Sequence, residues 1–325
     1  MSKALYLDHS DSGYHCNGSR ECMHGRQLPE QQPISAFERY AAVQNSGLQK
    51  RNLAIYVNFP APEQPNSAEF QHSYQQAVLQ EISMLAKVSQ HKSPIQHLHF
   101  IGHTSLYQPH IMEPIIDRLH KHFTLQNHKL FHYSISVNPY LINWGNVGAM
   151  RELGFNSISL ELDKDEFCFS QIQTIYEAAR TLDFNNVGMV LGLQTNQLDE
   201  LQQQLEQLLT LAPERIQIGQ KPNSLLFAQA SQQLTACGYN HQGMGCFALP
   251  DDTFIAAREA GLLSCNACGQ ASSNDFDILG FGVAANSQIG ELNYQNCPST
   301  QHYLRAIAQK QLPGAIGHKS CVSFL

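Results

Sequence analysis

Residues 52–62, NLAIYVNFPAP, set the reading of this chain. Leu53, Ile55 and Val57 are strand formers at alternate positions, while Asn58, Pro60 and Pro62 stop the strand from continuing. The stretch is an apolar strand that delivers a loop, and in folds built from strand-helix units the loops at the carboxyl ends of the strands hold the sites. Taken alone, this loop carries no ligand.

The rest of the chain repeats the theme. Phe70, Tyr74, Ala77, Ile82 and Leu85 trace the apolar stripe of a first crossover helix, with Asn66 and Glu69 spaced as a capping box at its start. Apolar runs at 95–101, 130–137, 157–162, 187–193 and 215–219 then precede helical patterns at 113–122, 145–153, 171–182, 198–211 and 225–237. Six strand-helix units in succession predict an α/β chain whose parallel sheet is covered by outside helices, a partial (β/α)6 TIM-like barrel. The expected divisions are an N-terminal arm with a short helix (1–50), the barrel (51–238) and a C-terminal extension packed on it (239–325). In that extension the regularity fades into Gly-rich loops, the apolar run DILGFGVAA at 277–285 and a last helix near 300–310.

A chain of 325 residues, 42% hydrophobic and 14% charged, can bury a large core. Its net charge of −7, from 20 Lys+Arg against 27 Asp+Glu, gives no basic field for a phosphate backbone, so no nucleic-acid partner is expected. No stretch has signal-peptide character or the unbroken apolar length that spans a bilayer, so the expected location is cytoplasmic, with no membrane partner. Nine cysteines, an odd number, fit reduced thiols or metal ligands better than bridges. His9, His15, Cys16, Cys22 and His24 give the arm a metal-site composition without metal-site spacing, and it reads as a loose polar segment. Cys265 and Cys268 do have zinc or redox spacing, with Cys246 and His241 upstream as further donors, and mark where any bound metal is expected. His97, His99 and His103 alternate along one strand and its end, so they share a face; they read as core or rim histidines before ligands. Asp251 and Asp252, after Pro250 at a helix start, read as caps.

The motifs IYVNFP (55–60), LHFIGHTSLY (98–107), SISVNP (134–139), ELGFNSISLELD (152–163) and VGMVLGL (187–193) come in a familiar order. Together with GYNHQGMGCFALPDDTFIAAREAGLLSCN (238–266) and DFDILGFGVAANSQIG (275–290), they resemble the oxygen-independent coproporphyrinogen III oxidases of haem biosynthesis. Those are radical S-adenosylmethionine enzymes, and the resemblance runs from about residue 52 to 310. It implies a 4Fe–4S cluster held by a Cys-x3-Cys-x2-Cys triplet in the first loop, with S-adenosylmethionine chelated to the open iron. Here Pro62 stands where the first of those cysteines falls, and no cysteine occurs between Cys22 and Cys168.

Other positions that the resemblance assigns to the cofactor are also changed. Tyr56 is kept, but Asn58 stands for a histidine, and a Gly-Gly-Gly-Thr-Pro turn has become Ile101, Gly102, His103, Thr104 and Ser105. Ser136 stands for a glutamate, Asp163 for a glutamine and Gly188 for an aspartate; the segment after Asp163 is shorter, and the sequence does not include the family's helical C-terminal domain. Tyr56 reads as a half-buried packing residue before a cofactor contact.

The resemblance thus implies a catalytically degenerate relative that needs neither cluster nor S-adenosylmethionine. Its expected role is to bind a tetrapyrrole (haem or porphyrin) or a protein of the haem pathway, in a pocket at the strand ends lined by Tyr56, His103, Asn138, Asp163 and Gln194. Two alternatives stay open: an active radical enzyme with unusual cluster ligands, and a structural or interaction scaffold.

Overall fold

The computed structural model describes residues 31–61, 67–89, 92–125, 132–162, 167–191, 198–219, 225–243, 245–259, 264–266, 269–271 and 276–319. A short strand β1 (Gln32–Ile34) leads into helix α1 (Ala36–Leu48), where Ser35 and Glu38 form a reciprocal capping box. The strand-helix units follow in order: β2 (Asn52–Phe59), α2 (Ala68–Ala86), β3 (Pro94–Gly102), α3 (Pro109–His122), β4 (Thr124–Leu125), β5 (His132–Val137), α4 (Trp144–Glu152), β6 (Ser157–Leu162) and α5 (Phe169–Thr181). They continue with β7 (Asn186–Leu191), α6 (Leu198–Leu209), β8 (Arg215–Ile218) and α7 (Leu225–Ala236). The remainder is β9 (Asn240–Gly243), β10 (Cys246–Ala248), α8 (Thr253–Glu259), β11 (Ser264–Asn266), β12 (Gly269–Ala271), β13 (Phe276–Phe281), β14 (Asn286–Ile289), β15 (Leu292–Asn296), α9 (Thr300–Ala308) and β16 (Ala315–Lys319).

One α/β sheet, ordered β1-β16-β15-β14-β13-β2-β3-β5-β6-β7-β8-β10-β9, joins nearly all of these strands. The six units expected from the sequence supply its parallel centre, β2 through β8, with each strand hydrogen-bonded to the next. The sheet does not close through hydrogen bonds among the described residues, which suits a partial barrel. One further parallel strand comes from late in the chain. β13 pairs with the other side of β2, Phe276 opposite Asn52 through Phe281 opposite Val57, and β14, β15, β16 and β1 extend the sheet beyond it with antiparallel pairs. Two glycines allow this. A Cβ on Gly280 would lie 2.2 Å from the Asn286 carbonyl oxygen, and Gly282, at φ +99°, passes so close to β2 that its Cβ would meet the Asn58 oxygen at 2.4 Å.

The helices cover one face of the sheet. Leu53, Ile55, Val57 and Phe59 of β2 point into that layer and are at most 5% exposed, each worth about 1.5–3 kcal/mol of apolar burial. Helix α2 begins one residue later than the spacing of Asn66 and Glu69 implies: Ser67 caps it, its hydroxyl accepting from the Phe70 N–H at 3.2 Å, and Asn66 lies outside the described residues. No helix of the described residues is long and apolar enough to cross a membrane.

Beneath this layer lies a buried polar knot. The Glu81 carboxylate of α2 accepts from the Gly282 N–H (2.8 Å), Asn296 Nδ2 (2.8 Å) and the Tyr303 hydroxyl (2.7 Å), with the Arg39 guanidinium 3.8 Å away. Arg39 in turn donates to the Pro313 carbonyl and Asn296 Oδ1 and lies over the Tyr294 ring. The knot ties α1, α2, the turn after β13, β15 and α9 together.

Candidate functional site

Parallel strands covered on both faces are near-continuous apolar runs. β5 (HYSISV) and β6 (SISLEL) are instead polar at every second residue. The polar residues lie on the face turned away from the helices, where Ala54, Phe276 and Ile278 form an apolar cluster separate from the main core and Tyr56 packs against it. Strand register lines them up: Tyr56, His99, Ser134, Ser157 and Asn186 are successive cross-strand neighbours over five strands. The concave face is therefore a polar lumen.

His99 sits at its centre. Its Nδ1 is 2.5 Å from Ser134 Oγ, its Nε2 is 3.4 Å from Ser136 Oγ, and its ring lies 5.5 Å from that of Tyr56. Glu161, on the neighbouring strand, lies on the same face, two residues beyond the cross-strand partner of Ser136. Burial pushes that carboxyl up to about 7, against the opposing pull of Ser136. The same desolvation acts downward on imidazoles: it brings His97 and His99 to about 4. It also brings His132 to about 3, helped by the charge of Arg215. At the base of the lumen Arg215 donates to Asp252 at 2.7 Å, and Asn186 Nδ2 donates to the same oxygen. Asp252 is thus more than a helix cap, the role its sequence position implies: its carboxylate is buried and bound to the sheet.

The structure places the other sequence-derived candidates as follows. Tyr56 is partly buried against the lumenal apolar cluster. Asn58 donates to the Val283 carbonyl and its own carbonyl accepts from Tyr74, so it fastens β2 to the turn after β13. Gly102, at φ +114°, closes on the Phe59 carbonyl so tightly that a Cβ would sit 2.0 Å from the oxygen. The next N–H, from His103, donates to that oxygen at 2.8 Å, and partial burial lowers the His103 imidazole. Thr104 is buried and accepts from the Asn138 N–H at 2.7 Å, joining the loops after β3 and β5. Gly188 shows no such constraint: a Cβ there would make ordinary contacts with Ser159 and Arg215.

Asp163, Gln194 and Cys268 lie outside the described residues, as do His9, His15, Cys16, Cys22, His24 and Pro62; of Cys265 only the backbone, in β11, is described. Cys246 and His241 do not converge. Cys246 is buried beside Gln217, burial raising its thiol to about 12, while His241 stacks on Phe247 across the ribbon at 4.7 Å. Among the described residues no three His, Cys, Asp or Glu side chains form a metal-binding group. A groove of about 290 Å³ between α1 and the end of α2, lined by Phe37, Tyr40 and Val88, is remote from the strand ends.

No family model matches the chain. The oxygen-independent coproporphyrinogen III oxidase of Pseudomonas aeruginosa is 26% identical over 351 residues, which span 92% of this chain and 75% of that protein. The chain is a relative of the oxygen-independent coproporphyrinogen III oxidases. The enzyme of that name from Synechocystis is 25% identical over 86% of this chain and 69% of its own length. The solved structure of the Escherichia coli coproporphyrinogen III oxidase, described as a radical SAM enzyme, matches with a TM-score of 0.79 over 89% of this chain and 76% of that one. At 22% identity it establishes the fold.

Glu161, Ser134 and His132 are among the lumenal residues that sequence reasoning misses. Their signal was the period-two polarity of β5 and β6, which a buried parallel sheet does not need. Ser136 stands where the resemblance to the coproporphyrinogen III oxidases implies a glutamate, and the carboxylate of this face, Glu161, is on the next strand.

Proposed function

We propose that this chain is a catalytically degenerate relative of the oxygen-independent coproporphyrinogen III oxidases that binds a tetrapyrrole at the carboxyl ends of its parallel strands, without a 4Fe–4S cluster or S-adenosylmethionine. The donor set carries this reading. A cluster site needs thiolates, and the stretch after β2, PAPEQPNS at 60–67, has none. Those residues do not fit the cluster, so no step is derived through it. The relatives' names supply the ligand class, since they act on coproporphyrinogen III. For haem, the proposed axial donor is His103, whose imidazole burial favours in its neutral form, the form that ligates iron. A protein of the haem pathway docking at the same strand ends is the alternative partner.

The test is a titration with haem and with metal-free porphyrin, followed in the Soret region. Saturable changes are expected, with His103→Ala weakening haem alone. No change with either ligand would remove the binding role and leave an interaction scaffold. Anaerobic reconstitution with iron and sulfide separates the enzyme reading: the expected result is no cluster, and about four irons and four sulfides per chain with a reducible signal would restore it.

A further inference from the structure

The carboxyl ends of helices α2 and α3 bring cations together. Arg118 of α3 donates to the Leu79 carbonyl and to Ser83 Oγ (2.5 Å) of α2. Both helices cross over between parallel strands and so run in the same direction, which sets His122 beside Lys87 one turn further on. The Thr124 hydroxyl donates to the Lys92 carbonyl, bringing Lys92 to the same turn. Burial, followed by the charges of Arg118, Lys121, Lys92 and Lys87, lowers the His122 imidazole, and among the described residues no carboxylate offsets them. Lys87, Lys92 and Lys121 are exposed and join no ion pair among the described residues; Asp117, one turn before Lys121, does not pair with it. Cations near helix C-termini answer the helix dipole, which accounts for Lys87 and Lys121 but not for Lys92 in the loop. The groove between α1 and α2 opens beside this patch. Lys87 and Val88 line one wall, Phe37, Tyr40, Ala41 and Gln44 the other, and Phe37 is 79% exposed. At about 290 Å³ the groove falls just under the roughly 300–1,000 Å³ that encloses a small molecule, so it suits one or two inserted side chains.

We propose that this surface docks an acidic segment of another protein, whose apolar side chains enter the α1–α2 groove while its carboxylates meet Lys87, Lys92 and Lys121. Charge complementarity selects the occupant. The chain as a whole carries a net charge of −7, so a nucleic acid or an anionic bilayer, which meets the field of the whole molecule, is repelled. A short acidic segment responds to the charges within a Debye length, about 8 Å, and at this turn those charges are positive. Shape agrees with charge. A concave apolar groove takes an inserted side chain, as in other peptide-binding grooves, whereas a flat bilayer leaves it unfilled. The groove is remote from the strand ends, so the proposal does not depend on the tetrapyrrole reading.

The experiment selects a random peptide display library against the whole chain and measures the recovered peptides, made free and labelled, by fluorescence anisotropy. The recovered sequences are expected to set several Asp or Glu beside an aromatic or aliphatic anchor, and to lose roughly tenfold or more in affinity between about 0.05 and 0.5 M salt. Phe37→Ser changes a side chain that is mostly in solvent, so the fold should tolerate it, and it should weaken these peptides about tenfold. Lys92→Glu together with Lys121→Glu should weaken them further and flatten the salt dependence. Vesicles of phosphatidylglycerol in phosphatidylcholine are expected not to bind. The proposal falls if the library yields no acidic sequences, or if both variants hold the recovered peptides as the unaltered chain does. It also falls if the variants release anionic vesicles or a second copy of this chain instead of peptides. None of these outcomes alters the haem titration, so the two readings fail separately.

Discussion

Between about pH 4.5 and 7 the folded chain holds a proton on Glu161 that the unfolded chain gives up. This raised group contributes its stability in full below 4.5 and loses it as pH rises through 7. Glu161→Gln, which cannot ionise, is therefore expected to stabilise the fold at about pH 8 by on the order of 3 kcal/mol and to change little at about pH 4.5, as measured by urea melts. His97, His99 and His132 act in the opposite sense. Their depressed values favour the fold above 6.5, and that contribution is lost as pH falls toward 4. With three such imidazoles against one carboxyl, stability should decline on acidification below about pH 6; a midpoint that rises steadily to pH 4 would contradict their burial. The alternation of His97 and His99 is legible in the sequence. The nearness of Glu161 to Ser136 is not, because it depends on β5 and β6 being neighbours in a register that sets Ser136 opposite Ser159, two residues before Glu161.

Elements meet through Glu81 and Gly102, where single changes have effects beyond their own helix or turn. Removing the Glu81 carboxylate leaves the Arg39 charge buried and strips acceptors from Gly282, Asn296 and Tyr303. Glu81→Leu alone is expected to cost roughly 3–5 kcal/mol in denaturant melts, and Arg39→Met in the same chain should recover much of it. Recovery would fail if the neutral polar bonds, rather than the pair, dominate the knot. Gly102→Ala should prevent folding or loosen the β2–β3 edge severely, whereas Gly188→Ala should shift stability by less than about 1 kcal/mol. Equal effects at the two glycines would show that the tight approach at Phe59 is dispensable. The repeated units were readable because strand and helix periods are local properties of the sequence. The knot was not, since nothing near Glu81 in the chain identifies Arg39, Asn296 or Tyr303 as its partners.

Across the whole molecule, β13 to β16 occupy one flank of the parallel block, although the sequence reading groups 239–325 as an extension packed on a barrel. The apolar run DILGFGVAA announces a strand. Its partner is β2, more than two hundred positions earlier, and no pattern within the run names that partner. A chain ending at residue 275 should lose cooperative unfolding and self-associate, because β2 would become a bare apolar edge; a sharp monomeric transition in that truncation would refute the dependence. The same pairing governs how the protein is made. On the ribosome, β2 to β8 emerge first, but β2 keeps an open flank until roughly 220 further residues have followed, about 10–45 s at ordinary elongation rates. Through that interval a nascent chain has a sticky strand edge and an unformed knot around Glu81. Production of this protein should therefore depend on chaperones that shelter the nascent chain, and on the pace of translation through the codons that specify β13 to β16.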